Sequence, residues 1–440
     1  MSPGAHPPAG VSGRPQAELS AVRTGQRPSV WTDKPMIGDK GSHSSDVGPR
    51  AELLVAGDLC PIGSGLRSLM ERPGTDVFQA IQAELGEADL AIANLECPLC
   101  DLPNPQGKTG PSLRAPEACA ARIRAAGFGM VSLANNHIRD HGDEGVRSTL
   151  RACAESGLET VGAGTSIGEA QRLKVLVLGG LRVAFMGLCE SEFSTAGPLR
   201  AGANPIDPLR LARQLVSGRS DWDALVVLLH SGREHYPYPT PRQQGLCRAL
   251  VDLGASVVVC QHSHCVGCIE RVGNRLIVYG QGNLLFDSPG RVPDSWFEGF
   301  GLQLSLGPDG VTGFRVVPYR QSVIDGTVHE LSGGKREQML LGIERRSNEI
   351  LDDRFVEEAW RAHVGEVAEM YLLWLAGSGW FDRLRLKLSH LAGRRYRPLT
   401  SAATRRLANL LRCETHREIL ETVLAADPAL GEARSTEVSS

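Results

Sequence analysis

Short apolar runs alternate with amphipathic stretches from Leu53 onward, and each main apolar run ends in polar residues. The runs lie in the segments "LLVAGD", "ADLAIANLE", "GMVSLANNH", "ALVVLLHSG" and "SVVVCQHSH". Strands that are apolar on both faces are typical of sheets covered on both sides. The segments "PEACAARIRAAG" and "GVRSTLRACAESG" have helical spacing, and Gly157 ends the second. The pattern predicts buried strands alternating with helices.

Glycine-rich turns predict antiparallel hairpins later in the chain. The segment "LKVLVLGGLRVAFMGLC" turns at Gly179 and Gly180, and "IERVGNRLIVYGQGN" turns at Gly273 and Asn274. A further hairpin, "GFGLQLSLGPDGVTGFRVVPY", turns at "GPDG". Hairpins mixed with β-α units favour a mixed α/β fold built on two sheets.

The pattern also predicts how the chain is divided. Residues 1–48 are rich in Pro, Gly and Ser and lack periodicity, so we expect them to be disordered. The α/β domain is expected to span residues 49–330. Helical spacing of apolar residues predicts a small helical C-terminal region over residues 331–425. Residues 426–440 are expected to form a disordered tail.

Composition excludes some classes of function. Apolar residues make up 42% of the chain and charged residues 22%, which is ordinary for a globular protein. A formal net charge of -3 argues against a nucleic-acid partner. Runs of about 18 apolar residues are missing, so we expect no integral membrane segment. The opening "MSPGAHPPAGVSGRPQ" lacks the layout of a signal peptide, which predicts a cytoplasmic protein, with peripheral attachment to the membrane left open.

Side chains able to bind a metal ion collect where the apolar runs end. They are Asp58, Asn94, Glu96, Asn136, His137, His230, His262 and His264. In open α/β sheets the functional crevice lies beyond the carboxyl ends of the strands. A mixed oxygen and imidazole ligand set suits Mn, Fe, Zn or Mg. His262 and His264 form the strongest single signal, because alternate strand residues point to one side.

The ligand types favour a pair of divalent metal ions. A carboxylate can bridge two ions about 3.5 to 4 Å apart, an Asn oxygen can fill one position, and neutral imidazoles can supply the rest. Such a pair lowers the pKa of a bound water toward about 7, for attack on a phosphoryl or acyl centre. Each residue taken alone allows another interpretation, since a lone His is more often structural and Asp58 could cap a turn.

The motifs resemble one family. The segments "VAGDLC", "ANLECPL", "GMVSLANNHIRDHGDEGVRSTL", "HSGREHYPYPTPRQQGLCRALVDLGASVVVCQHSHCVGCIE" and "RLIVYGQGNLLFD" are similar to the CapA family of poly-γ-glutamate capsule synthesis proteins. The similarity runs from about Leu53 to Asp287. Because that family's fold is related to the calcineurin-like metallophosphoesterases, the resemblance implies a four-layer α/β/β/α sandwich with a metal centre at the strand ends.

The resemblance also implies roles for individual residues. The implied metal ligands are Asp58, Glu96 as the bridging carboxylate, Asn136, His230, His262 and His264. His137 matches the transition-state histidine, and Glu234 matches the glutamate of a His-x-Gly-x-Glu motif, so both are expected to be catalytic. The residues expected to bind substrate or support the ligands are Asn94, Asn135, Asn283 and Arg114. For Arg114 a surface position without a role is an equal alternative.

The chain departs from the family pattern at several positions. Cys60 stands where the wider superfamily has the histidine of Asp-x-His, so one metal loses a ligand unless a Cys60 thiolate replaces it. Cys260 and Ser263 replace the Gly and Pro of Gly-x-His-Pro-His. Ser231 replaces an aromatic residue after the His230 position. These changes alter the pocket walls, so the substrate can differ from the family's usual one.

Cysteine usage predicts reduced thiols rather than disulfides. The chain has 11 cysteines, and most lie in apolar runs, where a free thiol behaves as a small hydrophobe. Cys97-x-x-Cys100 and Cys265-x-x-Cys268 could form a zinc site or a redox pair if their loops meet. Their separation lies outside the usual short zinc-ribbon spacing, so partly buried thiols are the favoured interpretation.

The favoured function is that of a metal-dependent hydrolase in poly-γ-glutamate biosynthesis. Its substrate would be a phosphate ester or a γ-glutamyl amide, and its partner an anionic polymer or a phosphorylated compound. One alternative is a non-catalytic assembly factor of a polymer synthase complex. Another is a cytosolic metallophosphodiesterase without any part in capsule synthesis.

Overall fold

The computed structural model describes residues 48–108, 110–288, 290–375 and Leu407. The predictions for residues 1–47, for the helical region beyond residue 375 and for the tail 426–440 therefore lie outside the described residues, Leu407 excepted. Within them, the chain forms two large sheets, a short two-stranded sheet and ten α-helices.

Strands alternate with helices through most of the described chain. In chain order the strands are β1 (Ala51–Cys60), β2 (Leu90–Leu95), β3 (Met130–Ser132), β4 (Glu159–Val161), β5 (Ala163–Gly164), β6 (Lys174–Leu178), β7 (Leu181–Cys189), β8 (Gly202–Ala203), β9 (Ala224–His230), β10 (Val257–Gln261), β11 (Ile269–Val272), β12 (Arg275–Tyr279), β13 (Asn283–Phe286), β14 (Glu298–Gly307), β15 (Gly310–Gln321) and β16 (Val328–Glu330). The α-helices are α1 (Gly63–Glu71), α2 (Gly74–Val77), α3 (Gln82–Glu87), α4 (Cys119–Ala125), α5 (Gly142–Glu155), α6 (Ile167–Ala170), α7 (Pro208–Ser217), α8 (Pro241–Asp252), α9 (Gly333–Glu349) and α10 (Asp353–Leu375). Two 3-10 turns lie at Gln79–Ile81 and Asp294–Phe297.

The two large sheets have different strand orders. The first sheet has eight strands in the order β16-β15-β14-β1-β2-β3-β4, with β13 also paired to β1. The second has six strands in the order β11-β12-β10-β9-β7-β6. The predicted hairpins are confirmed, because β6–β7, β11–β12 and β14–β15 pair antiparallel. The strands that carry the polar ends, β1 with β2 and β3, and β9 with β10, run parallel to their neighbours.

Successive side chains along each strand point to opposite faces of the sheet, and their packing on both faces produces the layers of the fold. On β1, Leu53 belongs to the core between the two sheets, whereas the adjacent Leu54 packs in the core beneath helices α1 to α5. On β9, Val226 faces the first sheet, whereas Val227 packs against α7 and α8 on the outer side. Apolar residues therefore cover both faces of each strand, and the predicted four-layer α/β/β/α sandwich is confirmed.

Helix starts follow local sequence signals. The Asp207 side chain accepts a hydrogen bond from the backbone N–H of Arg210 (3.1 Å) and caps α7. Thr240 caps α8 in the same way through the N–H of Gln243, also at 3.1 Å. Each helix then begins with proline, whose fixed φ suits the first helical position.

The helices that follow β16 pack on the sandwich. Ile343 of α9 is buried in the core between the sheets, and Val356 of α10 joins the outer core of the second sheet. The backbone N–H of Ile269 donates a hydrogen bond to Ser347 Oγ (2.9 Å), which joins α9 to β11. The domain boundary at residue 330 stays a prediction. None of the helices in the described ranges is both long and apolar enough to cross a membrane.

Candidate metal centre

The predicted ligands come together at the carboxyl ends of the strands. Asp58 lies on β1 and Glu96 directly follows β2, both in the first sheet. His230 is the last residue of β9, and His262 and His264 follow β10, both in the second sheet. The site therefore lies where the carboxyl edges of the two sheets meet, as expected for an α/β crevice.

Six side chains form three overlapping groups that could hold a metal ion. The groups are Glu96 with His230 and His262, Asp58 with Glu96 and His264, and Glu234 with His262 and His264. Within each group the ligand atoms lie within 4.8 Å of one another. Glu96, His262 and His264 each belong to two groups, so neighbouring cation positions would share ligands.

Buried polar atoms without partners test whether a cation fits here. Both carboxylate oxygens of Glu96, Oδ1 of Asn94 and Nδ1 of His262 are buried without a hydrogen-bond partner. Leaving a buried charged acceptor unsatisfied costs on the order of 1–3 kcal/mol or more. A divalent cation would satisfy these oxygen and nitrogen atoms, and carboxylates with imidazoles are ligands that such ions accept. The residues present therefore fit the implied metal.

The pKa values of the carboxylate and imidazole groups in the cluster are strongly shifted by burial and by one another. Burial, with Asp58 adding to it, raises the pKa of Glu96 well above its usual value. Burial lowers the pKa of His230 well below its usual value and, with the repulsion of His264, lowers that of His262 to about 4. Burial also lowers the pKa of His264, but Glu96 and Asp58 outweigh it and raise this pKa to about 9. His230 and His262 are therefore neutral, the form in which imidazole binds metals.

Two asparagines connect the ligands. Asn94 Nδ2 donates a hydrogen bond to Asp58 Oδ1 (2.8 Å) and lies 3.1 Å from His230 Nδ1. Asn136 Oδ1 lies 3.1 Å from His230 Nε2, which brings it to the edge of the cluster. The two amides hold the His230 ring at both nitrogen atoms.

Asn135 braces the loop that carries His137. Its Oδ1 accepts a hydrogen bond from the His137 N–H (3.1 Å), and its Nδ2 donates to the carbonyl oxygen of Leu95 (2.8 Å). Asn135 is fully buried, so these bonds satisfy a costly group. They also tie the loop after β3 to the end of β2, next to Glu96.

His137 belongs to a buried charged triad that the sequence did not predict. Its Nδ1 lies 2.7 Å from Asp140 Oδ2, and Lys108 Nζ lies 2.5 Å from Asp140 Oδ1 and 3.1 Å from His137 Nδ1. Burial lowers the pKa of His137. Asp140 follows His137 by three residues within one turn of the backbone, and it could have been found by that spacing. Lys108 enters from a distant loop and carries no such signal.

Asn283 and Trp296 support His264. Asn283 Oδ1 lies 2.9 Å from His264 Nδ1, and Asn283 Nδ2 donates to the Trp296 carbonyl oxygen (2.9 Å). The Trp296 ring packs on the His264 ring with centroids 4.5 Å apart. Trp296 was also missed by sequence reasoning. Arg114 lies differently, because its side chain is exposed and donates to the backbone carbonyls of Cys100 and Asp101.

Backbone strain is concentrated at this site. Among the described residues, the non-glycine positions with positive φ are His235 (60°), His262 (94°) and His264 (50°). Such conformations cost of the order of 1–3 kcal/mol each and persist only when the surroundings enforce them. The His262 N–H donates to Asp58 Oδ2 (3.2 Å), and the His235 N–H donates to the Ser263 carbonyl oxygen (2.7 Å).

Cysteine thiols do not enter the candidate ligand groups. Within the described ranges, the groups contain only carboxylates and imidazoles. Burial, with a hydrogen bond to Cys97, raises the pKa of Cys60 well above its usual value, which disfavours a thiolate ligand at that position. The structure gives Cys97, Cys100, Cys265 and Cys268 as free thiols, which agrees with the favoured interpretation of their pairs, and they are more deeply buried than it predicted.

Comparison with known proteins finds relatives named for capsule polymers. The chain is 30% identical over 245 residues to the capsule biosynthesis protein CapA of Bacillus anthracis, covering 53% of this chain and 59% of that protein. It is 28% identical over 295 residues to the PGA biosynthesis protein CapA of Bacillus subtilis, covering 66% of this chain and 76% of that protein. A probable polyglutamine synthesis accessory protein of Mycobacterium tuberculosis is 28% identical over 244 residues, covering 52% of this chain and 60% of that protein.

Comparison with solved structures gives matches at low TM-scores and low sequence identity. A calcineurin-like phosphoesterase from Bacillus subtilis matches with a TM-score of 0.36 and 12% identity, over 70% of this chain and 98% of that chain. A 5'-nucleotidase precursor from Thermus thermophilus matches with a TM-score of 0.35 and 15% identity, over 74% of this chain and 60% of that chain.

A family model identifies the group to which the chain is related. The model described as bacterial capsule synthesis protein PGA_cap matches residues 52–288, which is more than half of the chain. The match begins at the start of β1 and includes every candidate ligand from Asp58 to His264. The resemblance predicted from the motifs is therefore confirmed: the chain belongs to the bacterial capsule synthesis family PGA_cap.

Proposed function

We propose that this protein is a metal-dependent hydrolase that cleaves γ-glutamyl amide bonds in a capsule-type polymer or its precursor. The observation that carries the proposal is the buried Glu96 carboxylate, whose two oxygens lack hydrogen-bond partners amid imidazole and carboxylate ligands. The names of the CapA relatives, which refer to capsule and PGA biosynthesis, support the choice of polymer.

The ligands for two divalent ions would be Asp58, Glu96, Asn136, His230, His262 and His264. When bound, such ions supply Lewis acidity at the scissile group and lower the pKa of a water molecule. Mn, Fe, Zn and Mg all accept ligands of these types. Asn94 and Asn283 would orient the imidazoles of His230 and His264 through the contacts described above.

His137 and Glu234 would move the protons. Hydrolysis adds the water oxygen to the carbonyl carbon, breaks the C–N bond and leaves a carboxylate and an amine. The Glu234 carboxylate, beside His262 and His264, would take a proton from the water. His137, with its Nδ1 proton held by Asp140, would take up at Nε2 the proton released from the water and give it to the departing nitrogen. Lys108 would fix Asp140 in that position.

A phosphate ester would use the same groups. In that reaction the water oxygen attacks phosphorus, the P–O bond breaks and His137 protonates the departing oxygen. Dinuclear sites serve both phosphoryl and acyl transfer, so the ligand set alone is compatible with either bond.

A non-catalytic accessory role is the second candidate. The mycobacterial relative is named an accessory protein of polyglutamine synthesis. In addition, helix α10 contacts the loop that carries Glu234, where the His363 ring stacks on Tyr236 with centroids 4.6 Å apart. In this role the site would organise a polymer synthase complex by binding metal or anionic polymer without hydrolysis.

A substrate panel tests these candidates. The full chain, reconstituted with each of Mn, Fe, Zn and Mg, would be assayed with a γ-glutamyl tetramer, a phosphomonoester and a phosphodiester. We expect metal-dependent release of amine from the tetramer, abolished by Glu96→Gln and unaffected by His329→Ala, which alters an exposed histidine. Cleavage of the phosphate esters but not of the tetramer would show that the substrate is a phosphate ester rather than a γ-glutamyl amide. No cleavage of any substrate by a metal-loaded protein would favour the accessory role.

A further inference from the structure

A pocket of about 510 Å³ lies beside the candidate metal centre and is not part of it. Its walls come from the loops that follow β9 and β10, from the 3-10 turn at Asp294–Phe297, and from helix α9. The volume lies within the range of small-molecule sites, about 300–1,000 Å³. Helix α9 belongs to the region after residue 330, which the family model does not cover.

The pocket and the metal centre share a wall. His235 and Cys265 line the pocket, and each directly follows a candidate ligand, Glu234 and His264. The Trp296 ring lies 4.5 Å from the His264 ring and 5.7 Å from the His235 ring. A substrate reacting at the metal centre could therefore extend directly into the pocket.

The carboxylates of the pocket are already paired. Arg320 donates to Asp294 Oδ2 (3.0 Å) and to Glu298 Oε1 (2.8 Å). Arg320, and more weakly Lys335, holds the pKa of Asp294 below its usual range. Because Arg320 neutralises much of their charge, the two carboxylates leave the remaining cations of the pocket available.

Those cations are Lys335 and Arg346, both on α9. Arg346 is half-buried, and its Nε donates to the carbonyl oxygen of Gly267 (2.9 Å). In the part of the chain that the structure describes, neither side chain lies within 4.0 Å of a carboxylate oxygen. A partly buried guanidinium without a carboxylate has open donors, and a planar fork of donors suits carboxylate or phosphate oxygens.

The residue one turn before Arg346 makes room for its guanidinium. A Cβ at Gly342 would lie 3.1 Å from Arg346 Nη1, so glycine allows the guanidinium to lie close to this turn of the helix. Gly342 itself lines the pocket. The guanidinium is thus held by one backbone bond at Nε and lies next to Gly342 in the pocket wall.

We propose that this pocket is a subsite for an anionic group of the substrate and that Lys335 and Arg346 bind that group. The group would lie one monomer unit along the substrate polymer from the bond held at the metal centre. The proposal rests on the proposed function in placing the reacting bond at the metal centre. The group recognised would present carboxylate or phosphate oxygens to the two cations. A γ-glutamyl polymer carries a free carboxylate on every unit.

Direct binding tests the subsite without requiring turnover. Calorimetric titration of the full chain would use a γ-glutamyl tetramer, the same tetramer with its side carboxylates converted to amides, and tripolyphosphate. We expect Lys335→Glu to weaken tetramer binding about five- to tenfold and to reduce its salt dependence. Arg336→Glu makes the same charge change at the next position on the helix, outside the pocket lining, and is expected to bind as the parent does.

A second pair of variants separates charge from structural support. Arg346→Lys keeps the charge but loses the guanidinium bond to Gly267, whereas Arg346→Met loses both. We expect Arg346→Lys to retain most of the affinity for the tetramer and Arg346→Met to lose it. The amidated tetramer is expected to bind weakly to every variant. Preference for tripolyphosphate over the tetramer would assign the subsite to phosphate oxygens.

The outcome is independent of hydrolysis. Weaker binding in Lys335→Glu supports the subsite even if the parent cleaves none of the substrates, in which case only the proposed hydrolysis fails. Equal affinity of Lys335→Glu and the parent, equal affinity for the charged and amidated tetramers, or no binding of any probe to the parent would overturn the subsite.

Discussion

At the scale of single residues, Glu96 is the group that most requires a cation. Its carboxylate is fully buried, neither oxygen has a hydrogen-bond partner, and burial together with Asp58 raises its pKa. Glu84 offers a contrast, since its buried carboxylate pairs with Arg315 at 2.8 Å. A buried carboxylate that accepts no hydrogen bond, with only the imidazoles of His230 (3.5 Å) and His264 (3.7 Å) near it, indicates a function outside the stability of the fold.

Glu96→Gln is therefore expected to stabilise the metal-free protein, by about 1–3 kcal/mol, because it removes an unsatisfied buried charge. The pKa of Glu96 is raised on folding, so the parent loses stability as pH rises above the unfolded value of about 4.3. The gain should consequently be larger at pH 8 than at pH 5. Urea unfolding of chelator-treated protein measures it. Glu84→Gln, which breaks an ion pair, should give no such gain; equal stability of Glu96→Gln and parent at both pH values would contradict the interpretation.

The strained backbone at His262 is expected to affect the stability of variants at this position. At a φ of 94° glycine is favoured over any residue with a Cβ, so metal-free His262→Gly should be about 1 kcal/mol more stable than His262→Ala. His230, in the regular strand β9, is the matched control, and there the glycine variant should be the less stable one. The free energies of unfolding of the four variants decide this, and the same order at both positions would count against strain at His262.

At the scale of elements, close contact between strands positions the first ligand. Gly57 precedes Asp58 on β1, and a Cβ at Gly57 would lie 2.0 Å from the carbonyl oxygen of Gly282. The Asp58 N–H donates to that same oxygen at 3.3 Å. The absence of a side chain at Gly57 thus lets β1 approach the segment before β13 and holds Asp58 at the strand end.

Gly57→Ala should separate these segments and displace Asp58. We expect a loss of about 1–3 kcal/mol of stability, typical of overpacking, together with weaker metal binding. Gly86→Ala is the matched control, because no atom lies within 4 Å of its Cβ position and it sits inside helix α3, where alanine stabilises by about 0.5–1 kcal/mol. Thermal unfolding and metal titration of both variants provide the readouts. Parent-like metal affinity in Gly57→Ala would show that Asp58 is positioned by other contacts.

At the scale of the whole molecule, the candidate centre joins the two sheets. The first sheet supplies Asp58 and Glu96, whereas the second supplies His230 and leads into His262 and His264. Helix α9 adds the pocket that borders this centre. A cation bound here would link the sheets directly, so metal binding should stabilise the folded protein as a whole.

Much of this arrangement follows from sequence patterns. Apolar runs with polar ends predicted the strands and the side chains from Asp58 to His264, because parallel strands place their carboxyl ends at one edge. Turn glycines such as Gly179 and Gly273 predicted the hairpins. Lys108, Trp296 and the α9 pocket could not be predicted, because tertiary contacts between distant segments create them. Lys108, for instance, meets His137 across 29 positions of the chain.

The most direct test of the central claim is the metal content of the purified full chain, measured by plasma mass spectrometry after reconstitution with Mn, Fe, Zn and Mg. The parent and the His329→Ala control should bind one to about two equivalents of a divalent ion. The double variant His262→Ala/His264→Ala should bind none, because these two histidines take part in all of the candidate ligand groups. A parent that retains no divalent ion under any of these conditions, or a double variant that retains as much as the parent, would contradict the metal centre.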